Sequence, residues 1–359
     1  MDSDLTHEPS LPRALLWPTL AWLVFGLHHT LHALWDLPLA VTALVVMVLG
    51  AVHHAEVLAA RVGEPFGALL LALSVTVIEV SIIVSLMLTI GEGASVLARN
   101  TVFAAVMIIL TGMTGVTLFI GGLKFREQEF STQGVIAQLT VLVAISVLTL
   151  VLPDFTGAVP GPYYSNDELV FVAVVTLALY GGLLFVQNFR HKDHFVDDAM
   201  VESRVKPSRR STAISSVLLP LHLIAVVLLA DNMAPELDDL IDAIGAPVAL
   251  SGIIIACVVL LPEGISAVRA ALANQLQRSL NLSLGSALAS VSLTIPVVAM
   301  VALSIGMPLA MGIDAPSMVI FLLTLFVLTL SLVKGRTNIL QGLVLMLLFA
   351  VYLFITLFP

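Results

Sequence analysis

The chain has 359 residues, of which 59% are hydrophobic and only 11% are charged. Soluble proteins carry about 25% charged residues, so the composition excludes a water-soluble globular protein and indicates a polytopic membrane protein. The formal net charge is −9, and the sequence contains no basic stripe and no nucleic-acid-binding module, so nucleic acid is not an expected partner. The single cysteine, Cys257, excludes an intrachain disulfide.

The polar N-terminus, Met1 to Arg13, lacks the cationic start and the small-residue cleavage site of a signal peptide, so we expect the first apolar segment to be retained. Eleven apolar segments are candidates to cross a bilayer as helices. They lie at Ala14–Trp35, Leu39–Val52, Phe66–Ile90, Val102–Gly122, Val135–Leu152, Leu169–Gln187, Ala213–Ala230, Val248–Leu272, Leu282–Ile305, Met318–Val333 and Leu340–Phe358. The predicted fold class is an all-α polytopic membrane protein with about 11 transmembrane helices.

Lysines and arginines predict the orientation of these spans. With eleven spans, 14 of the 15 basic residues fall on the side that holds the N-terminus, and only Arg99 falls on the other side. Cytoplasmic loops carry the excess of Lys and Arg, so we expect a multi-pass protein of the cell inner membrane, with its N-terminus in the cytoplasm and its C-terminus outside.

Two similar turns indicate an internal repeat. The sequence GEPFG at Gly63 lies 16 residues before Glu79, and GAPVA at Gly245 lies 18 residues before Glu263. A chance match between two short turns is the alternative, but each turn is also followed by a helix with one buried glutamate. Two halves of five helices each must have opposite orientations, which is the inverted-repeat design of secondary transporters.

This repeat divides the chain into four predicted regions. They are an N-terminal tail with an extra helix (1–35), a first five-helix repeat (36–188), a cytoplasmic linker (189–212) and a second five-helix repeat (213–359).

Glu79 is the one ionisable residue in the span Phe66–Ile90 and lies near its middle. A charged carboxylate near the centre of a membrane helix costs about 2.5–3.5 kcal/mol on insertion scales, so it is a candidate functional residue. The alternative is a protonated glutamate satisfied inside the bundle. Thr76 lies one helical turn before Glu79 and is a candidate ligand beside it.

Glu263 stands between Pro262 and Gly264 in another span. Proline removes a backbone donor and glycine weakens the helix, so we expect the chain to bend or open there. Carbonyls freed beside a carboxylate form an oxygen-rich site suited to a hard cation. A packing kink with a protonated glutamate is the alternative.

The span after each glutamate helix is rich in hydroxyl groups and small residues. Such residues usually allow close helix packing. Hydroxyl groups that face the carboxylates can also complete a cation shell, and Ser286 and Thr111 are the candidates for this role. Two facing carboxylates without a cation take up protons readily, so protons and cations would compete for the same oxygens.

His53 and His54 fall at the inner end of the second span, near Glu56 and Glu64. Histidines at a membrane interface are mostly solvated. Their position on the cytoplasmic side of the Glu79 helix also makes them candidates for pH sensing.

Long stretches of the sequence resemble the calcium/cation antiporter superfamily, in its calcium/proton exchanger branch and its bacterial ChaA-type group. The resemblance is carried by HHAEVLAARVGEPFGALLLALSVTVIEVSIIVSLML from His53, by LLPEGISAVRAALANQLQRSLNLSLGSALASVSLTIPVV from Leu260, and by GRTN at Gly335. The chain departs from typical calcium/proton exchangers before each glutamate, where that branch has Gly-Asn-Ala.

The resemblance implies that Glu79 and Glu263 bind the cation and take the proton, and that Gly285-Ser286 matches the Gly-Ser step of the second motif. It implies an antiporter that exports Ca²⁺, and Na⁺ or K⁺, in exchange for H⁺ by alternating access. The expected partners are these ions and the lipid bilayer, no cofactor is expected, and a homo-oligomer is compatible with the sequence.

Two alternatives remain at this point. Carboxylates and repeats alone also fit a proton-independent cation exchanger or channel. A membrane-embedded enzyme fits less well, because the sequence contains no HExxH motif, no nucleophile with a partnered base in facing spans and no phosphate-binding loop.

Overall fold

The computed structural model describes residues 36–63, 66–90, 94–190, 207–243, 245–247 and 249–358. The predicted first span, Ala14–Trp35, lies outside the described residues, and so does most of the predicted linker 189–212.

Five helices form the first half of the described chain. They are α1 (Asp36–Val62), α2 (Phe66–Ile90), α3 (Ala94–Met107, a π turn Ile108–Met113, and Thr114–Phe125), α4 (Thr132–Leu150) and α5 (Asn166–Phe185 with a π extension Val186–Arg190). The short strand β1 (Glu127–Glu129) follows α3, and a 3₁₀ turn, Leu152–Phe155, follows α4.

Five more helices form the second half. They are α6 (Arg209–Ala243), α7 (Ala249–Leu272), α8 (Leu276–Ala289, a π turn Ser290–Thr294, and Ile295–Ile305), α9 (Ala315–Leu332) and α10 (Ile339–Leu357). The strand β2 (Arg336–Asn338) precedes α10. These ten helices correspond to the second to eleventh predicted spans.

Nine helices of the described part, all except α2, are long and apolar enough to cross a membrane. In α2 the described apolar stretch, Leu73–Ser85, is shorter than in the other helices. A helix of about 20 apolar residues spans the hydrocarbon core of a bilayer, so these lengths fit a polytopic bundle.

Four helices extend well beyond a predicted end. Helix α1 continues to Val62 instead of ending at Val52, and α3 begins at Ala94 instead of Val102. The sequence predicted a span ending at Ala230, whereas α6 continues to Ala243 through a segment rich in acidic residues. Buried Met233 and Ile241 continue the apolar stripe at helical spacing, so the helix persists where mean hydropathy falls. Helix α8 starts at Leu276 instead of Leu282 for the same reason, since Leu276 and Leu280 are buried one turn apart.

The first glycines of the two turns have the same left-handed conformation. Gly63 has φ +80° after α1, and Gly245 has φ +66° after α6. A residue in the left-handed region after a helix is usually glycine, because it has no Cβ to clash. The match between the two glycines therefore extends from sequence to backbone conformation.

Two further features recur at equivalent positions in the two halves. The third helix of each half, α3 and α8, contains an internal π turn. The fifth helix of each half begins with a capping box, formed by Ser165 with Glu168 in α5 and by Asn338 with Gln341 in α10. The two halves thus share helix count, turn geometry, helix irregularity and caps.

The connections between helices also pair in a reciprocal pattern. Strand β1, in the α3–α4 connection, pairs antiparallel with β2, in the α9–α10 connection. A bridge between Tyr163 and Ala310 joins the α4–α5 connection to the α8–α9 connection. In both pairings, the connection after the third helix of one half contacts the connection after the fourth helix of the other half. Two repeats related by a two-fold axis produce this reciprocal pattern.

The chain forms two compact units. The first comprises Met1–Ile82 and Ser203–Leu240, and the second comprises Ile83–Glu202 and Ile241–Pro359. Each unit contains residues of both predicted halves. Within the first unit, α1 packs against α6, and a Cβ at Gly50 would lie 2.5 Å from the ring of His222.

Helix α3 forms the centre of the second unit, where every residue from Thr101 to Thr111 is buried. Helix α10 crosses α3 closely through glycines, since a Cβ at Gly342 would lie 2.3 Å from the backbone nitrogen of Phe119. Small residues at such crossings let membrane helices approach backbone to backbone.

Candidate cation-binding site

Glu263 is buried in the second compact unit on α7. Pro262 lies inside this helix, but helical structure continues from Ala249 to Leu272. The chain therefore stays helical at Glu263, and of the predicted bend or opening the opening does not occur. Proline removes one backbone hydrogen bond, and the turns on both sides of it keep the helix continuous.

Ser286 lies on α8, the helix that follows α7 after a short turn, and it donates a hydrogen bond from Oγ to Oε2 of Glu263. Both residues are buried, with 6% of Ser286 and 8% of Glu263 exposed. A hydrogen bond to a carboxylate is stronger than one between neutral groups. The structure thus brings together the two residues of the second half that the sequence singled out.

Thr111 lies in the π turn of α3, which packs against both α7 and α8. Its side chain is fully buried, and its hydroxyl donates a hydrogen bond to the carbonyl of Met107 one turn earlier. This bond within the helix is the ordinary role of a threonine in a membrane helix. It leaves the lone pairs of Oγ1 as the only part of the hydroxyl that a cation could use.

The π turns in α3 and α8 were missed in the sequence. They coincide with runs rich in hydroxyl groups and small residues, IILTGM and SVSLT. Because π turns occur often at functional sites, such runs inside a membrane helix are the signal that could have indicated them.

Glu79 and Thr76 lie one turn apart on α2 in the first compact unit, and each is only 4% exposed. The spacing of three residues places them on one face of the helix. Glu79 and Thr76 thus place a buried carboxylate and a buried hydroxyl on one helix, whereas Glu263 and Ser286 lie on two helices that contact each other.

His54 is buried on α1, and its Nδ1 is hydrogen-bonded to Oγ of Ser215 on α6 at 3.1 Å. Its ring lies 5.0 Å from the ring of His222 on α6 and 5.4 Å from the ring of His53, which is exposed. His222 donates from Nδ1 to the carbonyl of Leu218 at 2.8 Å. The sequence had indicated His53 and His54 but not their partners on α6.

A polar network formed by Arg99, near the start of α3, and Asp154, in the turn after α4, was also missed. Arg99 donates from Nη1 to the carbonyl of Gly312 at 2.7 Å, and the carboxylate of Asp154 lies against the same glycine, where a Cβ would come within 2.3 Å of Oδ1. Burial raises the pKa of Asp154, the positive charge of Arg99 opposes this rise, and the negative charge of Asp314 adds to it.

The site has few strong ligands for a metal. Among the residues that the structure describes, no three His, Cys, Asp or Glu side chains converge in a group that could hold a metal ion. Each glutamate instead has hydroxyl groups nearby, and oxygen ligands of this kind suit hard cations such as Na⁺ or Ca²⁺ more than transition metals.

The profile of the sodium/calcium exchanger protein family matches residues 32–189 and 214–358. The chain belongs to this family. The chain is 48% identical to the protein y4hA of Sinorhizobium fredii (strain NBRC 101917 / NGR234) over 314 residues, which are 87% of this chain and 86% of that protein. It is 38% identical over 350 residues to the sodium-potassium/proton antiporter ChaA of Escherichia coli (strain K12), covering 95% of this chain and 94% of the relative.

A solved structure of the Ca²⁺/H⁺ antiporter protein YfkE has the same fold. It matches with a TM-score of 0.75 at 17% identity and covers 96% of this chain and 99% of that chain. The predicted family and the predicted all-α polytopic fold with inverted repeats are confirmed. The family consists of antiporters, which supports the prediction that the protein is not an enzyme.

Proposed function

We propose that the protein is a secondary antiporter that exports Na⁺, K⁺ or Ca²⁺ in exchange for protons, with Glu79 and Glu263 as the groups that bind both. Membership in the sodium/calcium exchanger family and likeness to a sodium-potassium/proton antiporter over nearly the whole chain support cation/proton exchange. The observation that carries the residue assignment is the buried contact between Ser286 and Glu263.

A buried carboxylate exchanges ions because burial disfavours its uncompensated charge. It then holds either a proton or a cation, and each displaces the other from the same oxygens. When the site faces a compartment with more protons, protonation releases the cation. When it faces the other compartment, cation binding releases the proton.

Hydroxyl groups complete this arrangement by supplying neutral oxygen ligands. Ser286 hydrogen-bonds to the carboxylate of Glu263 and can turn a lone pair toward a cation held there. Thr76, on the same face of α2 as Glu79, has the same role in the other half. Thr111 contributes a lone pair from the π turn that packs on α7 and α8.

His54 and His53 sense pH and make the rate of exchange depend on it. His54 is buried between α1 and α6, where a proton on its ring would alter its hydrogen bond to Ser215. Replacing His54 with Gln should flatten the dependence of the exchange rate on pH, because a glutamine side chain does not titrate. An unchanged pH profile in this variant would exclude His54 as a sensor.

The protein lies in the inner membrane with its N-terminus in the cytoplasm and its C-terminus outside. The distribution of basic residues supports this orientation, since Arg99 alone falls on the outer side. The transported ions and the lipid bilayer are its partners, and no separate cofactor takes part.

Proteoliposomes with a trapped pH-sensitive dye test the proposed function. Addition of Na⁺, K⁺ or Ca²⁺ to acid-loaded vesicles should move protons in wild-type protein, and both Glu79→Gln and Glu263→Gln should abolish this movement. Glu56→Gln, at an exposed glutamate on α1, is the matched control and should retain it. Cation uptake without proton movement would instead support a proton-independent exchanger or channel.

A further inference from the structure

Helix α7 needs support from outside itself to hold Glu263 in place. Pro262 removes the backbone hydrogen bond immediately before Glu263, so the turns that follow are less firmly joined to the first part of the helix. The last carbonyl groups of any helix also lack partners within the helix. What binds the C-terminal end of α7 therefore affects where Glu263 lies.

Residues 124–131, at the end of α3 and in its connection to α4, bind this end of α7. Gln128 donates from Nε2 to the carbonyl of Ala271 at 3.1 Å and to Oδ1 of Asn274 at 2.9 Å. Lys124 donates from Nζ to the carbonyl of Leu272 at 2.8 Å. Asn274 has φ +60° and ends the helix in the left-handed conformation. These three hydrogen bonds add to the backbone hydrogen bonds from residues 273–275, which reach the carbonyls of Arg269, Ala270 and Ala271.

Gln128 is itself held firmly. It is the central residue of β1, opposite Thr337 of β2, and it is only 3% exposed while its neighbours in the strand are exposed. Its Oε1 lies against Gly121, where a Cβ would approach to 1.8 Å, so a larger residue at position 121 would displace the side chain of Gln128. The nearby Arg336–Glu127 pair is exposed and adds little, because surface ion pairs contribute about 0–1 kcal/mol.

The same segment also holds the start of α8. The backbone nitrogen of Ser131 donates to Oε1 of Gln277, in the first turn of α8, at 2.7 Å. Helix α8 carries Ser286, and α7 carries Glu263. Residues 124–131 therefore hydrogen-bond to the C-terminal end of α7 and to the N-terminal end of α8. These are the two helices whose side chains form the hydrogen bond between Glu263 and Ser286.

From these contacts we infer that Gln128 is a positioning residue that sets the geometry of the Glu263–Ser286 pair through the end of α7. The inference rests on the proposed role of Glu263 in cation binding. Gln128 touches neither the carboxylate nor the ion, and it acts by fixing the helix that carries the carboxylate. Its loss should weaken cation binding while the protein remains folded.

Protection of Glu263 from a carbodiimide gives a direct readout. Carbodiimides modify protonated carboxyl groups in apolar surroundings, and mass spectrometry of the labelled peptide measures how much Na⁺ or Ca²⁺ protects Glu263. In Gln128→Leu the concentration for half-protection should rise about ten-fold, which corresponds to about 1.4 kcal/mol. The half-maximal cation concentration for transport should rise equally, with the maximal rate within about two-fold of wild type.

Two further variants keep the test decisive. Asn274→Gly removes one of the two acceptors of Gln128, and glycine keeps the left-handed conformation of this position. It should give a smaller shift in the same direction, and it replaces Gln128→Leu if that variant does not fold. Gln133→Leu, at an exposed glutamine near the start of α4, should behave as wild type. If Gln128→Leu and Asn274→Gly lower only stability or maximal rate and leave half-protection unchanged, the positioning role is contradicted.

This design separates the two claims. Absence of cation protection at Glu263 in the wild-type protein would contradict the proposed function. Protection in wild type that is unchanged in the folded variants would contradict only the role of Gln128.

Discussion

Ser286 donates its hydroxyl hydrogen to the buried carboxylate of Glu263, across the contact between α8 and α7. Hydroxyl and carboxylate are both buried, with 6% of Ser286 and 8% of Glu263 exposed. A hydrogen bond in such surroundings is electrostatically stronger than in water, so it orients the carboxylate and stabilises its charged form.

Replacing Ser286 with Ala should therefore weaken cation binding. The lost hydrogen bond to a charged group is worth about 1.5 kcal/mol, so the half-maximal cation concentration should rise roughly ten-fold. Ser286→Thr, which keeps the hydroxyl, should lie close to wild type, and Ser304→Ala, at an exposed serine of α8, is the control. Equal transport kinetics for Ser286→Ala and wild type would show that the contact has no part in binding.

Replacing Gly50 with Ala should destabilise the first compact unit. The new Cβ would lie 2.5 Å from Cδ2 and Nε2 of His222, which is 1% exposed and hydrogen-bonded to its own helix. Overpacking of this kind costs about 1–3 kcal/mol. The thermal midpoint in detergent should fall accordingly.

Gly181→Ala is the matched control for this prediction. Gly181 also lies within a helix, but no atom lies within 4 Å of an added Cβ. Alanine is favoured over glycine inside a helix by about 1 kcal/mol, so this variant should be unchanged or slightly more stable. An equal fall in the thermal midpoint of Gly50→Ala and Gly181→Ala would contradict the role of the contact with His222.

The raised pKa of Asp154 predicts that the stability of the protein depends on pH. Burial raises its pKa in the folded protein, so the folded state binds the proton more tightly than the unfolded state. The stability that this carboxyl group contributes is therefore greatest at low pH and is lost as the pH rises through its folded pKa. Replacing Asp154 with an uncharged residue should consequently raise the stability of the protein more at neutral pH than at acidic pH.

Thermal unfolding of Asp154→Asn and wild type at several pH values between about 4 and 8 tests this sign. The thermal unfolding midpoint of Asp154→Asn should increase relative to that of wild type as the pH rises. Asp167→Asn, at an exposed aspartate in the first turn of α5, controls for a general effect of charge. A constant difference between Asp154→Asn and wild type would mean that Asp154 does not titrate in this range.

Hydropathy predicted the helices well because membrane helices need long apolar runs, whatever their tertiary contacts. Phe66–Ile90 has the predicted bounds. The displaced ends of α6 and α8 fall where helices continue with one apolar stripe outside the most hydrophobic run. Glu79 and Glu263 were identifiable for a related reason, since a lone carboxylate in such a run is costly.

Partners distant in sequence could not be predicted. Ser215 lies 161 residues from His54, and Ala271 lies 143 residues from Gln128. A single sequence records the polar character of these residues but not which helix ends meet. The roles of Gln128 and Ser215 depend on tertiary packing, and only the structure brings them next to their partners.

The central claim is that cations and protons compete for Glu79 and Glu263. Proton release from purified protein in weakly buffered detergent, followed with a pH dye while Na⁺, K⁺ or Ca²⁺ is added, measures this competition without transport. The account predicts saturable proton release from wild type and none from the folded double variant Glu79→Gln/Glu263→Gln. Undiminished release from the double variant, or cation binding to wild type without any release, would contradict it.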